Sequence, residues 1–223
     1  MPASVEVNDI TVRYQSGDPL PVLSHLSFSL QKGEHLALTG NNGAGKSTLL
    51  LSLVGMLFPE NGGIVIDGTE LNRRNAALIR QKTGLVFQNP DDQLFMPTVY
   101  DDIAFGLRSQ GKPETETVQK ADKVLAALGI STLRERFTHR LSGGEKRLAA
   151  LAGILVMEPE LMLFDEPATF LDPPGRERLI EILSTLSHTM IIVTHDLDMA
   201  KRLCTRVIHL ERGCLTADDT IHD

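Results

Sequence analysis

Apolar and polar residues alternate through residues 5–14, with the period broken at Asn8 and Asp9, and alternate again through residues 22–30, so both segments are predicted strands. Gly17, Asp18 and Pro19 between them read as a turn. Residues 34–39 are a short apolar run leading into a glycine-rich stretch, and residues 46–56 beyond it read as a buried helix. Residues 64–68 form a strand ending in a turn, and Leu85, Val86 and Phe87 form another that closes at Gln88. The pattern then changes. From Asn89 to about Met157 strand signal is scarce, and helices are predicted at 99–107, 118–128 and 145–157. Strand-like runs return at 161–164, 190–193 and 207–210, separated by helical segments at 176–186 and 197–204.

Alternating strand and helix predicts a mainly parallel α/β core covered by helices. The helical stretch is an insertion into that core, which gives one domain with residues 1–88 and 158–223 as core and 89–157 as insertion. No internal repeat, low-complexity segment or sustained heptad run is present.

Composition narrows the function classes. Hydrophobic residues make up 42% and charged residues 23% of the 223, an ordinary globular balance. A formal net charge of −7 argues against a nucleic-acid partner, and the basic cluster Arg134, Arg136, His139 and Arg140 reads as a solvated face. Cys204 and Cys214 have neither metal-ligand nor disulfide spacing and are expected to be reduced thiols. His209 and His222 are isolated and read as surface residues. No signal peptide is expected from the N-terminal residues. The longest nearly apolar stretch, residues 49–58, is far short of the roughly 20 residues that span a bilayer. The chain is therefore not expected to cross a membrane alone, which leaves docking on a membrane protein open.

The chemistry concentrates in three places. Gly40, Asn41, Asn42, Gly43, Ala44, Gly45, Lys46, Ser47 and Thr48 fit G-x-x-x-x-G-K-[ST], after a strand and opening a helix. The glycines let backbone N–H groups converge on a pyrophosphate, and the helix adds its positive dipole end. Lys46 is placed to reach the β- and γ-phosphates and Ser47 to ligate Mg²⁺. Residues 161–164 are an apolar strand that stops at Asp165 and Glu166, which puts two carboxylates at the carboxyl edge of the sheet. Asp165 suits Mg²⁺ through its water shell, and Glu166 suits orienting and deprotonating a water. Leu141, Ser142, Gly143, Gly144 and Glu145 precede a helix and offer a second anion-binding N-terminus, although a plain Ser N-cap explains them locally.

Taken together, and in this order, these motifs make the chain resemble the nucleotide-binding subunit of ATP-binding-cassette transporters over essentially its whole length. The resemblance implies a P-loop NTPase (RecA-like) α/β core with an N-terminal antiparallel β subdomain and an inserted α-helical subdomain. It also implies ATP and Mg²⁺ as cofactors. Tyr14 matches the aromatic that stacks on adenine, and Gln88 the glutamine that senses Mg²⁺ and the attacking water. Residues 141–145 match the signature, Glu166 the catalytic base, Leu171 and Asp172 the D-loop, and His195 the switch histidine that holds the γ-phosphate. In the family two cassettes pack head to tail, so Ser142, Gly143, Gly144 and Glu145 are expected to serve the ATP of a second copy.

Two departures from the family pattern stand out: the signature carries Glu145 in place of the commoner glutamine, with Arg147 one place early, and Thr169 and Phe170 are bulky for a D-loop.

Residues 86–95 and 97–106 resemble the ATPases of energy-coupling-factor importers. Residues 141–152 and 194–198 resemble their cobalt and nickel branch. Leu94, Phe95 and Met96 are expected to expose an apolar patch rimmed by acidic residues for integral membrane subunits docking near 88–106, with packing inside the insertion as the alternative. No regulatory domain is expected beyond the last strand. The resemblance implies a peripheral position on the cytoplasmic face of the membrane. A vitamin importer of the same type and a soluble, non-transport cassette ATPase are the competing readings.

Overall fold

The computed structural model describes residues 3–15 and 19–221; Gly17 and Asp18 of the expected turn, and His222, lie outside the described residues. In chain order the elements are β1 (Ala3–Val12), β2 (Leu23–Gln31), β3 (His35–Thr39), α1 (Lys46–Leu53), β4 (Asn61–Ile66), β5 (Thr69–Glu70), α2 (Ala76–Lys82) and β6 (Thr83–Val86). Helices α3 (Val99–Ser109), α4 (Glu114–Ala127) and α5 (Gly143–Leu155) come next. The chain then forms β7 (Leu161–Asp165), α6 (Pro173–Ser184), β8 (Thr189–Val193), α7 (Leu197–Leu203), β9 (Arg206–Glu211) and β10 (Cys214–Thr220).

Two compact units result. The first comprises Met1–Leu85, Glu160–Glu166 and Ser187–Asp223; the second comprises Val86–Pro159 and Pro167–Leu186.

The first unit holds an antiparallel sheet in the order β2-β1-β4-β5 and a larger sheet in the order β10-β9-β3-β8-β7-β6. The break in alternation at Asn8 and Asp9 is a β-bulge: Asp9 has φ 50°, and the register to β2 shifts between Val7 and Ile10. In the larger sheet β3 runs parallel to both β8 and β9, and β7 runs parallel to β8. Side chains of a strand alternate between faces. Leu36 and Leu38, Leu161 and Leu163, Ile191 and Val193, and Ile208 and Leu210 therefore join one core with Leu49, Leu50 and Leu53 of α1 and with the apolar faces of β1, β2 and β4. Their neighbours Met162, Phe164, Met190 and Ile192 are equally buried on the opposite face, which is why these strands read as continuous apolar runs.

Strand β10 is an addition to the elements read from sequence. It pairs antiparallel to β9 across a two-residue turn at Arg212 and Gly213, both at positive φ as a type I′ hairpin requires. None of its residues is fully buried, so it offers no apolar alternation to read. Strand β5 and helix α2 are likewise additional, the one only two residues long and the other with two buried positions.

The second unit is helical. Thr98 caps α3, its hydroxyl oxygen accepting from the Asp101 amide, and Asp172 caps α6 through the Gly175 amide. Gly106 lets α3 approach Met157, two residues past the end of α5, because a Cβ there would lie 2.6 Å from Met157 Sδ. The division differs from the expected insertion at 89–157, since Pro167–Leu186 clusters with the helical unit. One reason is Arg178 of α6, whose guanidinium donates to the carbonyls of Leu128 and Gly129 at the end of α4. The expected exposed patch also needs correction. Leu94 is buried, while Phe95 is exposed and rests edge-on against Phe105 with ring centroids 4.9 Å apart. Asp102 sets that arrangement by accepting from the Phe95 and Met96 amides.

Candidate functional site

In the first unit six residues, 40–45, connect β3 to α1. Gly40 has φ 144° and passes so close to β9 that a Cβ would lie 2.1 Å from the Leu210 carbonyl oxygen. Gly45, at φ 105°, is similarly confined against Leu23 and begins the helix without any side-chain cap. The first amides of α1 are thus left to an external acceptor, as a phosphate site requires. Ala44 and Asn41 close the loop through the Ala44 amide and the Asn41 carbonyl, 3.1 Å apart. Gly43, at φ 78°, has open space where a side chain would stand.

The side chains that follow meet the carboxyl edge of the sheet. Lys46 is buried; its ammonium donates to the carbonyls of Gly40 at 2.6 Å and Asn41 at 3.1 Å, and lies 3.3 Å from His195 Nε2. The Ser47 hydroxyl donates to Asp165 Oδ2 at 2.7 Å. Glu166 has φ 47°, and its amide donates to the Val193 carbonyl, extending the β7–β8 pairing one residue past the strand. Its Oε1 lies 3.1 Å from His195 Nε2, yet it is buried with no hydrogen-bond partner. His195 follows β8 on a turn tied by the Asp196 amide to Thr194 Oγ1 and by the Met199 amide to Asp196 Oδ1. Tyr14 is joined to the same loop: its hydroxyl is 2.9 Å from Oγ1 of the buried Thr48, while the residue remains 57% exposed.

Lys46, Ser47, Asp165, Glu166 and His195 are therefore assembled at one edge of one sheet. A lysine and helix amides are donors an anion can use, a hydroxyl and a carboxylate offer two hard oxygens, and a buried carboxylate oxygen has no hydrogen-bond partner. That donor set fits Mg²⁺, which keeps waters and takes phosphate oxygens alongside one or two protein ligands. Among the described residues no cluster of three or more His, Cys, Asp or Glu could hold a metal by itself.

The second unit carries the other candidates. Ser142 and Glu145 form a reciprocal capping box at the start of α5: Ser142 Oγ accepts from the Glu145 amide, and Glu145 Oε2 accepts from the Ser142 amide at 2.8 Å. That amide holds the Glu145 carboxyl below the ordinary glutamate value. Gly143 and Gly144 form the first turn, with no heavy atom within 3.4 Å of where a Cβ would stand. Ser142, Gly144, Arg147, Leu171, Gly175 and Arg178 line part of a cavity of about 160 Å³, so Leu171, expected to belong to a D-loop, adjoins the start of α5. Phe170 is 89% exposed at φ 66°. Gln88 is also in this unit and exposed.

Sequence reasoning passed over one residue. Arg147 appears there only as a departure from pattern, whereas in the structure it is 3% exposed and its guanidinium donates to the carbonyls of Phe87 and Gln88, each at 2.6 Å. Burial pushes its pKa below the usual arginine value. The available signal was a cation four residues before Leu151 on the buried face of a helix, where a charge needs partners.

The ABC transporter family model matches residues 23–169. The energy-coupling factor transporter ATP-binding protein EcfA of Methanothermobacter thermautotrophicus is 44% identical over 221 residues, spanning 97% of this chain and 70% of that protein. EcfA1 of Enterococcus faecalis is 40% identical over 220 residues, spanning 97% and 78%. Among solved structures, cbiO1 of Clostridium perfringens, described as part of the ABC transporter complex cbiONQ, superposes with a TM-score of 0.90 at 34% identity, covering 99% of this chain and 89% of that one. With the family model matched over about two thirds of the chain and relatives alike over nearly its full length, the chain that carries this phosphate loop and these sheet-edge carboxylates belongs to the ABC transporter family as one of its ATP-binding subunits, an ATPase.

Proposed function

We propose that this ATPase powers an energy-coupling-factor-type importer of cobalt or nickel ions. It acts as a head-to-tail pair of chains with Mg²⁺, docked peripherally on integral membrane subunits at the cytoplasmic face. The observation that carries the catalytic part is the buried Glu166 Oε1, which has no hydrogen-bond partner and faces His195 Nε2 at 3.1 Å, with Lys46 3.3 Å beyond on the same imidazole nitrogen. The Gly40–Thr48 amides and Lys46 bind the ATP phosphates, and Tyr14 offers its exposed ring to adenine. Ser47 and Asp165 hold Mg²⁺, with Gln88 as a further ligand. The ion supplies charge neutralisation on the phosphates when bound. Glu166 accepts a proton from water as the water oxygen bonds to the γ-phosphorus. The bond from that phosphorus to the β–γ bridging oxygen breaks, releasing ADP and inorganic phosphate, and His195 steadies the γ-phosphoryl oxygens. Ser142, Gly143, Gly144 and Glu145, next to Leu171 and the Asp172 cap, contact the ATP held by the second copy.

Importer coupling is supported by the relatives named EcfA and by the cbiO1 fold neighbour. The exposed Phe95–Phe105 pair within 88–106 supplies an apolar surface for a membrane subunit. No described helix is long and apolar enough to cross a membrane. The test is affinity purification of the tagged chain from membranes, followed by uptake of radioactive cobalt, nickel and vitamins by the recovered complex in vesicles. ATP-dependent uptake of cobalt or nickel alone is expected. Vitamin uptake would reassign the cargo, and recovery without any membrane protein would overturn the transport reading.

A further inference from the structure

The glutamine at position 88 sits on a segment with little regular structure of its own. Between Val86, where β6 ends, and Val99, where α3 begins, only a single turn of tight helix at Pro90–Asp92 interrupts the loop. A loop of that kind keeps its place only if something outside it holds the backbone. Asp102 of α3 holds the far end of the loop, and around Gln88 the holding is done by α5. Arg147 donates one guanidinium nitrogen to the Phe87 carbonyl and the other to the Gln88 carbonyl, both at 2.6 Å. Gln93 donates to the Ala150 carbonyl at 2.8 Å, and Lys146 pairs with Asp91 at 2.5 Å. Contacts from three residues within the first two turns of α5, Lys146, Arg147 and Ala150, thus run to the loop, and Arg147 is the one that grips the peptide group of Gln88 itself.

The chemistry of that grip is demanding. Arg147 is 3% exposed, its Nε has no hydrogen-bond partner, and among the described residues its guanidinium donates to two backbone carbonyl oxygens. A leucine or methionine would pack such a position more cheaply. A buried cation with a bare Nε is retained where its two remaining donors fix a geometry that an apolar side chain leaves free. A planar fork fixes both distance and orientation of two adjacent carbonyls, which a lysine ammonium cannot do.

We infer that Arg147 is a positioning residue for Gln88: it ties the backbone of the glutamine to the signature helix, so that Gln88 takes its place at Mg²⁺ and the attacking water only together with α5. The inference rests on the role proposed above for Gln88. It also explains the departure noted in sequence, since the arginine stands at the position in α5 from which both carbonyls are reached. Arg147 is buried and spends its donors on the two backbone carbonyls, so it is expected to act on the rate through Gln88 rather than on ATP affinity.

The experiment is a double-mutant cycle in steady-state ATPase kinetics of the complete complex, with Arg147→Met, Gln88→Ala and the double variant. Arg147→Met is expected to lower kcat about 10-fold to 100-fold, the range a misplaced group of this kind costs, with KM for ATP within about threefold. In the Gln88→Ala background the same substitution is expected to change kcat by less than about twofold, because the residue through which it acts is gone. Multiplicative losses in the double variant would overturn the inference and leave Arg147 with a purely structural role. A Gln88→Ala variant that retains full kcat would overturn the role of Gln88 instead, so the two failures are distinguishable. Arg147→Lys carries the same cycle if the methionine variant does not fold: it keeps the charge but not the fork, and an intermediate loss that again vanishes with Gln88→Ala is expected.

Discussion

Glu166 occupies a conformation few residues accept. A non-glycine residue at φ 47° costs of order 1 kcal/mol or more, and here it accompanies a buried carboxylate oxygen without a hydrogen-bond partner. Both penalties fall on the residue proposed to take the proton from water, and the second is relieved by a donor arriving at Oε1. Glu166→Gln keeps the shape and removes the basicity. The expected outcome is ATP binding of near wild-type affinity, kcat lowered at least about 100-fold, and an ATP-bound dimer that persists through gel filtration. Rapid turnover in that variant would show that another group accepts the proton. Lys46 and Ser47 were legible from their motif because glycine spacing and the strand-to-helix context fix where their side chains go. Arg147 was marked only as a cation on the buried face of a helix, since its partners are backbone carbonyls, whose identity no side chain announces.

At the level of elements, the legible parts were those with an apolar face to bury. Strands β3, β7 and β8 show as unbroken apolar runs, and the bulge in β1 shows as a broken alternation. Strand β10 does not show, because its pairing rests on backbone hydrogen bonds rather than burial. The placement of Pro167–Leu186 with the helical unit was also hidden, since it depends on Arg178 reaching two carbonyls that no periodicity reports. The signature helix offers a test of local electrostatics. The Ser142 amide lowers the pKa of Glu145 in the folded chain from its ordinary value of 4.5. A carboxylate depressed on folding adds stability above its unfolded pKa and loses it as pH falls through the folded one. Glu145→Gln, which restores the commoner family residue, removes the charge but keeps a side chain able to cap. At pH 7 it is expected to cost about 0.5 kcal/mol, and the cost is expected to shrink as pH falls below 4.5 toward 3. Urea melts of both proteins at the two pH values provide the comparison, and an equal difference at both would show that the charge contributes no stability.

For the molecule as a whole, the proposed mechanism needs two copies, and Phe170 is the residue through which that requirement is most open to measurement. The D-loop presents this ring 89% exposed from a backbone at φ 66°, an arrangement that costs strain and leaves a large apolar group in water. A second chain covering it recovers about 1.5–3 kcal/mol of apolar burial. Phe170→Asn suits the left-handed backbone and removes the ring, so the single chain is expected to be as stable as the parent or slightly more so. In the Glu166→Gln background with ATP, its dimer dissociation constant by analytical ultracentrifugation is expected to rise about 10-fold to 100-fold, the equivalent of that burial. ATPase activity per molecule is expected to fall on dilution at a correspondingly higher concentration than for the parent. An unchanged dissociation constant would place Phe170 outside the dimer contact. Activity per molecule that stays constant down to concentrations at which ultracentrifugation detects only single chains would show that one copy suffices for hydrolysis.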